Sequence, residues 1–356
     1  MVQRRRRGNV TGTTRVADGG GVAVDVGTLA FGRWGPPRDR ERVGVGRSSA
    51  PSRSRSDGRV QDHGPVLTAT AGSLRSSPPR GHDVSQPPIL VTGATGTVGC
   101  EVVHHLRATG RRVRALTRRP DRADLPAGVG VVGGDLDDPG SLGPALDGVD
   151  AVHLISFGSN GTLADPVGLA AEIREAGVAR CTVLVDWDDD ALVPALSEAG
   201  LPVTHLLPVE FMANKVADWA SVARAEGVVV EITDRPSPLV HETDIGAVAA
   251  VALTVTGWED QTLVLTGPEA LRPSEQVAIL AEATGRPLRF EQRSPTEAAE
   301  HWRAAGVTEE MIAFKLELEA MDVGEFARVH DTVDRVLGRP ATTFADWARS
   351  HADEFR

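Results

Sequence analysis

The sequence contains no tyrosine, so no mechanism that needs a phenol as proton donor is open to it. It has two cysteines, Cys100 and Cys181, far apart and in different motifs. Two isolated thiols make neither a disulfide framework nor a metal-ligand spacing, and a reducing cytoplasm is the expected setting. No apolar run approaches the roughly 20 residues needed to cross a bilayer, so no membrane is expected. Lysine is very scarce. What remains is ordinary for a globular chain: 41% hydrophobic and 24% charged residues over a length of 356. That length suits one large domain, or one domain with a sizeable lobe added.

The charge is unevenly spread. Residues 1–86 hold 15 Arg, no Lys and 7 acidic residues, a net of +8, while the rest hold 23 basic and 42 acidic residues, a net of -19. An acidic body repels phosphate backbones, so direct nucleic-acid binding is not expected of it. The first 86 residues are rich in Arg, Gly, Ser and Pro and show no helical or strand period. They read as a disordered basic tail that cannot bury a core. They lack the apolar segment of a secretory signal. Val84 stands just before SQPPILVTGATG, where a bacterial GTG codon would start a chain, and the natural start is expected there.

Residues 88–99 read PILVTGATGTVG. Ile89, Leu90 and Val91 form an apolar run suited to a buried parallel strand. Val98, Val102 and Leu106 then recur at helical spacing, up to a stop at Gly110. A glycine turn between strand and helix is the context of a dinucleotide site. Gly93 allows the tight turn, Gly96 the approach of the pyrophosphate, and Gly99 the packing of helix on strand. The helix N-terminus offers free N–H groups to the phosphates. Thr95, Thr97 and Val98 complete this segment of the cofactor site.

A second strand, RRVRALTRRP (111–120), ends in Arg118 and Arg119 where an acidic residue would favour the ribose of NAD. Cations there suit the 2′-phosphate, so NADP(H) is expected over NAD(H). Val129, Val131 and Val132 suggest a third strand, with Asp135 and Leu136 at its carboxyl end. Asp137 or Asp138 is expected to cap the helix through Leu142 and Leu146. Residues 150–156 make a fourth strand, which places Ser156 and Phe157 near the nicotinamide.

The order TGATGTVG, ALTRRP and GDLDDPGSLGPALDGVDAVHL resembles the NmrA-like branch of the atypical short-chain dehydrogenases/reductases. LPVEFMAN (207–214), LVHETDIGAVAAVALT (239–254) and LVLTGPEALRPSEQVAILAEATGRPLRF (263–290) extend the resemblance over all but the tail. It implies an α/β fold: a Rossmann doubly wound parallel sheet, about 88–207, with a small C-terminal α+β lobe over the substrate cleft, mainly 208–356. It implies NAD(P)H, and either a reductase or a cofactor-sensing regulator without chemistry.

Most short-chain dehydrogenases use a Tyr-x-x-x-Lys pair, which this chain lacks. The fifth strand, 181–186, ends in Asp186 and Trp187, then Asp188 to Asp190, where such enzymes carry a Ser or Thr. Asp186 either orients substrate or caps the helix through Leu192 and Leu196, capping being favoured; the acid run lacks the partners of a metal site, so no metal is expected. Lys215, Glu210 and His241 are the candidate acid/base groups. Against these roles, Lys215 reads as a surface lysine on a helix and His241 as a capping or packing histidine. Phe211 and Met212 are expected to line an apolar pocket, beside Asp186 and Trp187. Asp244 reads as a helix cap, His104 and His105 as lying away from the cleft, and Trp302 and Trp347 as core. Helices are expected near 273–284, 295–305, 308–321 and 342–353.

These residues predict a reductase of a small apolar carbonyl, quinone or polyketide-like molecule. The other reading is an NADPH-binding sensor. A sugar-nucleotide epimerase or dehydratase ranks below both, because such enzymes also use the Tyr–Lys pair. The expected partner is a small molecule, and the expected state a monomer or homodimer.

Overall fold

The computed structural model describes residues 86–158, 161–185, 191–320 and 328–356. The tail expected over 1–86, and the start expected at Val84, lie outside the described residues except for Gln86. The first half alternates strand and helix: β1 (Ile89–Val91), α1 (Thr97–Ala108), β2 (Val113–Thr117), β3 (Gly130–Gly133), α2 (Gly143–Leu146) and β4 (Ala151–Ile155). A small ribbon, β5 (Phe157–Gly158) with β6 (Gly161–Thr162), leads to α3 (Pro166–Glu175), β7 (Arg180–Leu184), α4 (Leu192–Glu198) and β8 (Val203–Pro208). The second half is α5 (Asn214–Glu226), β9 (Val228–Glu231), α6 (Glu242–Thr254), β10 (Thr262–Leu265), α7 (Pro273–Thr284), β11 (Arg289–Gln292), α8 (Pro295–Ala304), α9 (Glu309–Ala320), α10 (Thr332–Leu337) and α11 (Phe344–Ser350).

Seven strands form one sheet in the order β10-β8-β7-β4-β1-β2-β3, and every pairing in it is parallel. This is the doubly wound order, reversing direction at β1 and β4, with one strand added at the edge. Parallel strands need crossovers, and the helices supply them on both faces. One face buries Val98, Val102 and Leu106 of α1 with Ile245 and Val248 of α6. The other buries Leu169 and Ile173 of α3 with Leu192 and Leu196 of α4. The lobe has its own core, in which Trp219, Leu280, Phe344 and Trp347 meet, and β9 and β11 pair beside it.

The lobe is not one continuous piece of chain. After β8 the chain enters it through α5 and β9, returns to the sheet with α6 and β10, re-enters the lobe at α7, returns once more with α10 against α6 and β10, and ends in the lobe with α11. One small residue makes the first return possible: a Cβ on Gly246 would press on Glu101 and the Val102 nitrogen of α1, so α1 and α6 cross backbone to backbone.

Several local expectations need correction. Neither Asp137 nor Asp138 caps a helix. A short 3-10 turn over Pro139–Leu142 runs into α2 with no side-chain cap, and the Asp137 carboxylate instead accepts the Ala164 N–H at 3.1 Å. Helix α4 starts after Ala191, and Asp186, expected to cap it or to orient substrate, lies outside the described residues, so that expectation stands uncorrected. Before α6, the segment at 239–241 makes only a single bridge, between Val240 and Phe211. Asp244 sits inside the first turn of α6, while His241 caps that helix through Nδ1, which accepts the Thr243 N–H.

Candidate active site

The site begins at the turn after β1. Thr92 is fully buried, and its hydroxyl accepts the Ile155 N–H at 3.1 Å, locking the ends of β1 and β4 together. Gly93 then takes φ +60, in the left-handed region. Its carbonyl accepts the Gly96 N–H at 2.9 Å. A Cβ on Gly99 would run into that same carbonyl oxygen, so only glycine lets α1 start this close to the strand. Thr95, Gly96 and Thr97 are exposed at the turn; Val98 points into the core and offers its backbone alone. The N-cap of α1 is Gly96, with no side chain satisfying the terminus. Open N–H groups, the helix dipole and a glycine floor fit a pyrophosphate at this position.

Arg118 and Arg119 are exposed just beyond β2, and the Thr117 hydroxyl accepts the Arg119 N–H at 3.2 Å. Beyond β3, Asp135 folds its carboxylate onto the Asp137 N–H at 3.1 Å, and the Ser141 hydroxyl accepts the Asp135 N–H at 3.0 Å. Leu136 is buried beside them. Ser156 is buried and its N–H reaches the Leu184 carbonyl at 3.2 Å, while Phe157 is half-buried in the ribbon. These segments all lie at the carboxyl ends of β1, β2, β3 and β4, the crevice side of an open parallel sheet.

Of the three candidate acid/base groups, Lys215 and Glu210 are brought together, and His241 is engaged at the start of α6. Lys215 is not a surface residue: its side chain is 9% exposed and its Nζ lies 2.6 Å from Glu210 Oε1. Burial alone would lower the Lys215 pKa, but the charges of Glu210, Glu231 and Asp218 outweigh burial and raise it. Burial alone would raise the Glu210 pKa, but Lys215 and the Ser237 hydroxyl, which donates to Oε2 at 2.7 Å, outweigh it and lower it. The pair is therefore held ionised. His241 is occupied as the cap of α6, and its Nδ1 lies 3.5 Å from Glu242.

Phe211 is half-buried at the entrance to the lobe, packed on the sheet core. Met212 is 1% exposed and belongs to the lobe core, so its side chain fills the interior rather than lining an open pocket. Asp186 and Trp187 follow β7 outside the described residues. His105 does lie away from the turn, bonding Thr243 of α6 at 3.1 Å. Trp302 and Trp347 are buried, as expected of core residues. Ser237 and Glu231 were missed. A lone Ser between prolines and a Glu ending a valine strand carry no local sign of the partners they meet.

A family model described as NAD(P)H-binding matches residues 93–191. The chain is 38% identical over 282 residues to the (4-alkanoyl-5-oxo-2,5-dihydrofuran-3-yl)methyl phosphate reductase of Streptomyces griseus, covering 75% of this chain and 99% of that one. It is 33% identical over 283 residues to the NAD(P)H azoreductase of Xenophilus azovorans, again covering 75% and 99%. Among solved structures it resembles the NADPH-dependent quinone oxidoreductase of Escherichia coli in complex with NADPH. That likeness has a TM-score of 0.64 and 25% identity, over 74% of this chain and 99% of that one.

Proposed function

This chain belongs to the NmrA-like branch of the atypical short-chain dehydrogenases/reductases, and within it we propose an NADP(H)-dependent reductase of a small carbonyl, quinone or furanone-type acceptor. The observation that carries the reading is the turn at Gly93, Gly96 and Gly99, where a left-handed Gly93 and the close approach of Gly99 to it set the open N-terminus of α1 against the end of β1, the geometry a pyrophosphate site uses. The two relatives named above, matched along 99% of their lengths, are reductases by name. Arg118 and Arg119, exposed beyond β2, support a preference for the 2′-phosphate of NADP(H). The acidic body and the two relatives, named for small-molecule substrates, support a free small substrate rather than nucleic acid.

When bound, the reduced nicotinamide supplies the hydride. The protein's residues supply position. The α1 terminus and the glycine floor hold the phosphates, and Ser156 and Phe157 border the nicotinamide end. Phe211 gives the acceptor an apolar wall. Lys215 is held ionised in its pair with Glu210 and His241 Nδ1 is engaged by the Thr243 N–H, which supports water as the source of the proton that completes the reduction.

The test is titration of the purified chain with NADPH and NADH, then absorbance loss with a furanone, a naphthoquinone and an azo dye. NADPH oxidation that depends on one acceptor class is the expected result. Tight NADPH binding with no turnover on any of the three would move the chain to the sensing role.

A further inference from the structure

Phe157 and Gly158 leave the end of β4 as β5, and the chain returns antiparallel to them as β6, Gly161 and Thr162. Strands this short cannot hold such a ribbon in place on their own. One holder is the cofactor turn. The Thr92 hydroxyl accepts the Ile155 N–H at 3.1 Å, and a Cβ on Gly93 would lie 3.1 Å from Ile155 Cγ2, so the turn touches the end of β4.

The other holder is Asp137, in the loop after β3. Its Oδ1 accepts the N–H of Ala164, just past β6, at 3.1 Å. A Cβ on Gly158 would fall within the Asp137 carboxylate, so that group lies directly against the backbone of β5. One side chain thus meets the chain both where it enters the ribbon and where it leaves. The loop around Asp137 is fixed in turn: the Asp137 N–H donates to Asp135 Oδ1 at 3.1 Å, and the Asp135 N–H to the Ser141 hydroxyl at 3.0 Å. Leu136, beside Asp137, and Leu163, beside Ala164, are buried in one core. In the sheet β1 and β2 stand between β4 and β3. Asp137 therefore joins two connections that leave the sheet on opposite sides of β1, the strand that carries the glycine turn.

We propose that Asp137 is the positioning residue that ties the nicotinamide end of the cofactor site to its adenosine end. Through Gly158 and Ala164 it sets where β5 and the residues after β6 stand relative to the loop after β3. This rests on the reading that the dinucleotide runs from the β2 and β3 side, across the glycine turn, to Ser156 and Phe157. Without the carboxylate β5 is held from the turn side alone, and only the fraction of molecules with it in place receives the nicotinamide. The adenosine half binds away from β5 and is indifferent to it. Gly158 is glycine for the same reason: a side chain there displaces the carboxylate.

The probes are NADPH and 2′,5′-ADP, which keeps the adenosine and its 2′-phosphate and lacks the nicotinamide half. Binding of each to the full chain is read by calorimetry, beside a thermal melt of every variant. Asp137→Ala and Gly158→Ala are each expected to weaken NADPH by about tenfold, the worth of one hydrogen bond to a charged group, and to leave 2′,5′-ADP within about twofold. Asp137→Asn, which keeps an acceptor oxygen in the same place, is expected to recover NADPH to within about threefold of wild type. Gly158→Ala carries the test from the ribbon side if Asp137→Ala fails to fold. A purely structural role would lower the melting temperature and weaken both probes alike or neither. Either pattern in the folded variants, or an Asp137→Asn as weak as Asp137→Ala, overturns the inference and leaves the cofactor reading standing. Failure of the wild type to bind either probe overturns both.

Discussion

Gly99 and Gly143 are both glycines at the start of a helix, and the structure asks different things of them. A Cβ on Gly99 meets the Gly93 carbonyl, whereas a Cβ on Gly143 meets nothing within 4 Å. Gly99→Ala is expected to cost about 1–3 kcal/mol through overpacking and to weaken NADPH binding. Gly143→Ala is expected to be neutral or slightly stabilising. Thermal melts with and without NADPH separate the two. The glycine turn was legible in the sequence because its demands fall on residues defined by what they lack. The fate of Lys215 was not legible. Nothing in a lysine near the start of a helix says that a carboxylate five residues earlier and a tryptophan four residues later will enclose it. His153 is the second case: it is fully buried in β4, with Nδ1 2.8 Å from the Thr182 hydroxyl and no partner for Nε2 among the described residues. Burial pushes its pKa down from 6.5 to about 4. Between those values the unfolded chain takes up a proton that the folded chain refuses. Stability therefore falls as pH drops from about 6.5, and the loss levels off near 4 at about 3 kcal/mol. Urea midpoints taken at pH 7, 5.5 and 4 are expected to follow this course, and His153→Val to remove that part of the slope.

At the scale of elements, the alternation of strands and helices up to β8 could be read from short apolar runs and helical periods. The four lobe helices expected in the sequence all form, as α7, α8, α9 and α11. Helix α10 was missed because six residues give too short a period to read. The entry to α6 was misassigned for a chemical reason. An acid in the first turn usually signals a cap, but the Asp244 carboxylate is fully buried and accepts from Arg339 at 2.6 Å and the Thr342 N–H at 2.7 Å. It ties the segment before α11 down onto α6, and the imidazole of His241 takes the cap. Asp244→Ala leaves the Thr342 N–H without its acceptor and is expected to cost about 2 kcal/mol in urea unfolding. His241→Ala, which removes the cap and the contact with Glu242, is expected to cost about 1 kcal/mol.

At the largest scale the described residues form a parallel sheet whose carboxyl edge gathers a glycine turn, two cations and an apolar wall, with a lobe that the chain enters three times. The sequence placed the lobe mainly over 208–356, with a return to the sheet within that stretch. The close crossing of α1 and α6 at Gly246 is that return, and it completes the layer beside the cofactor turn. Cofactor preference and activity belong to this scale, because they need β1, β2 and the lobe together. The most direct measurement is acceptor-dependent oxidation of NADPH and NADH by the wild type and by the Arg118→Ala plus Arg119→Ala variant, compared as kcat/KM. Two charge-assisted contacts to a 2′-phosphate are each worth about 1.5–3 kcal/mol. The wild type is therefore expected to prefer NADPH by at least tenfold, and the variant to lose that preference while keeping its NADH rate. A wild type that favours NADH, or that oxidises neither cofactor in the presence of any acceptor, would contradict the account.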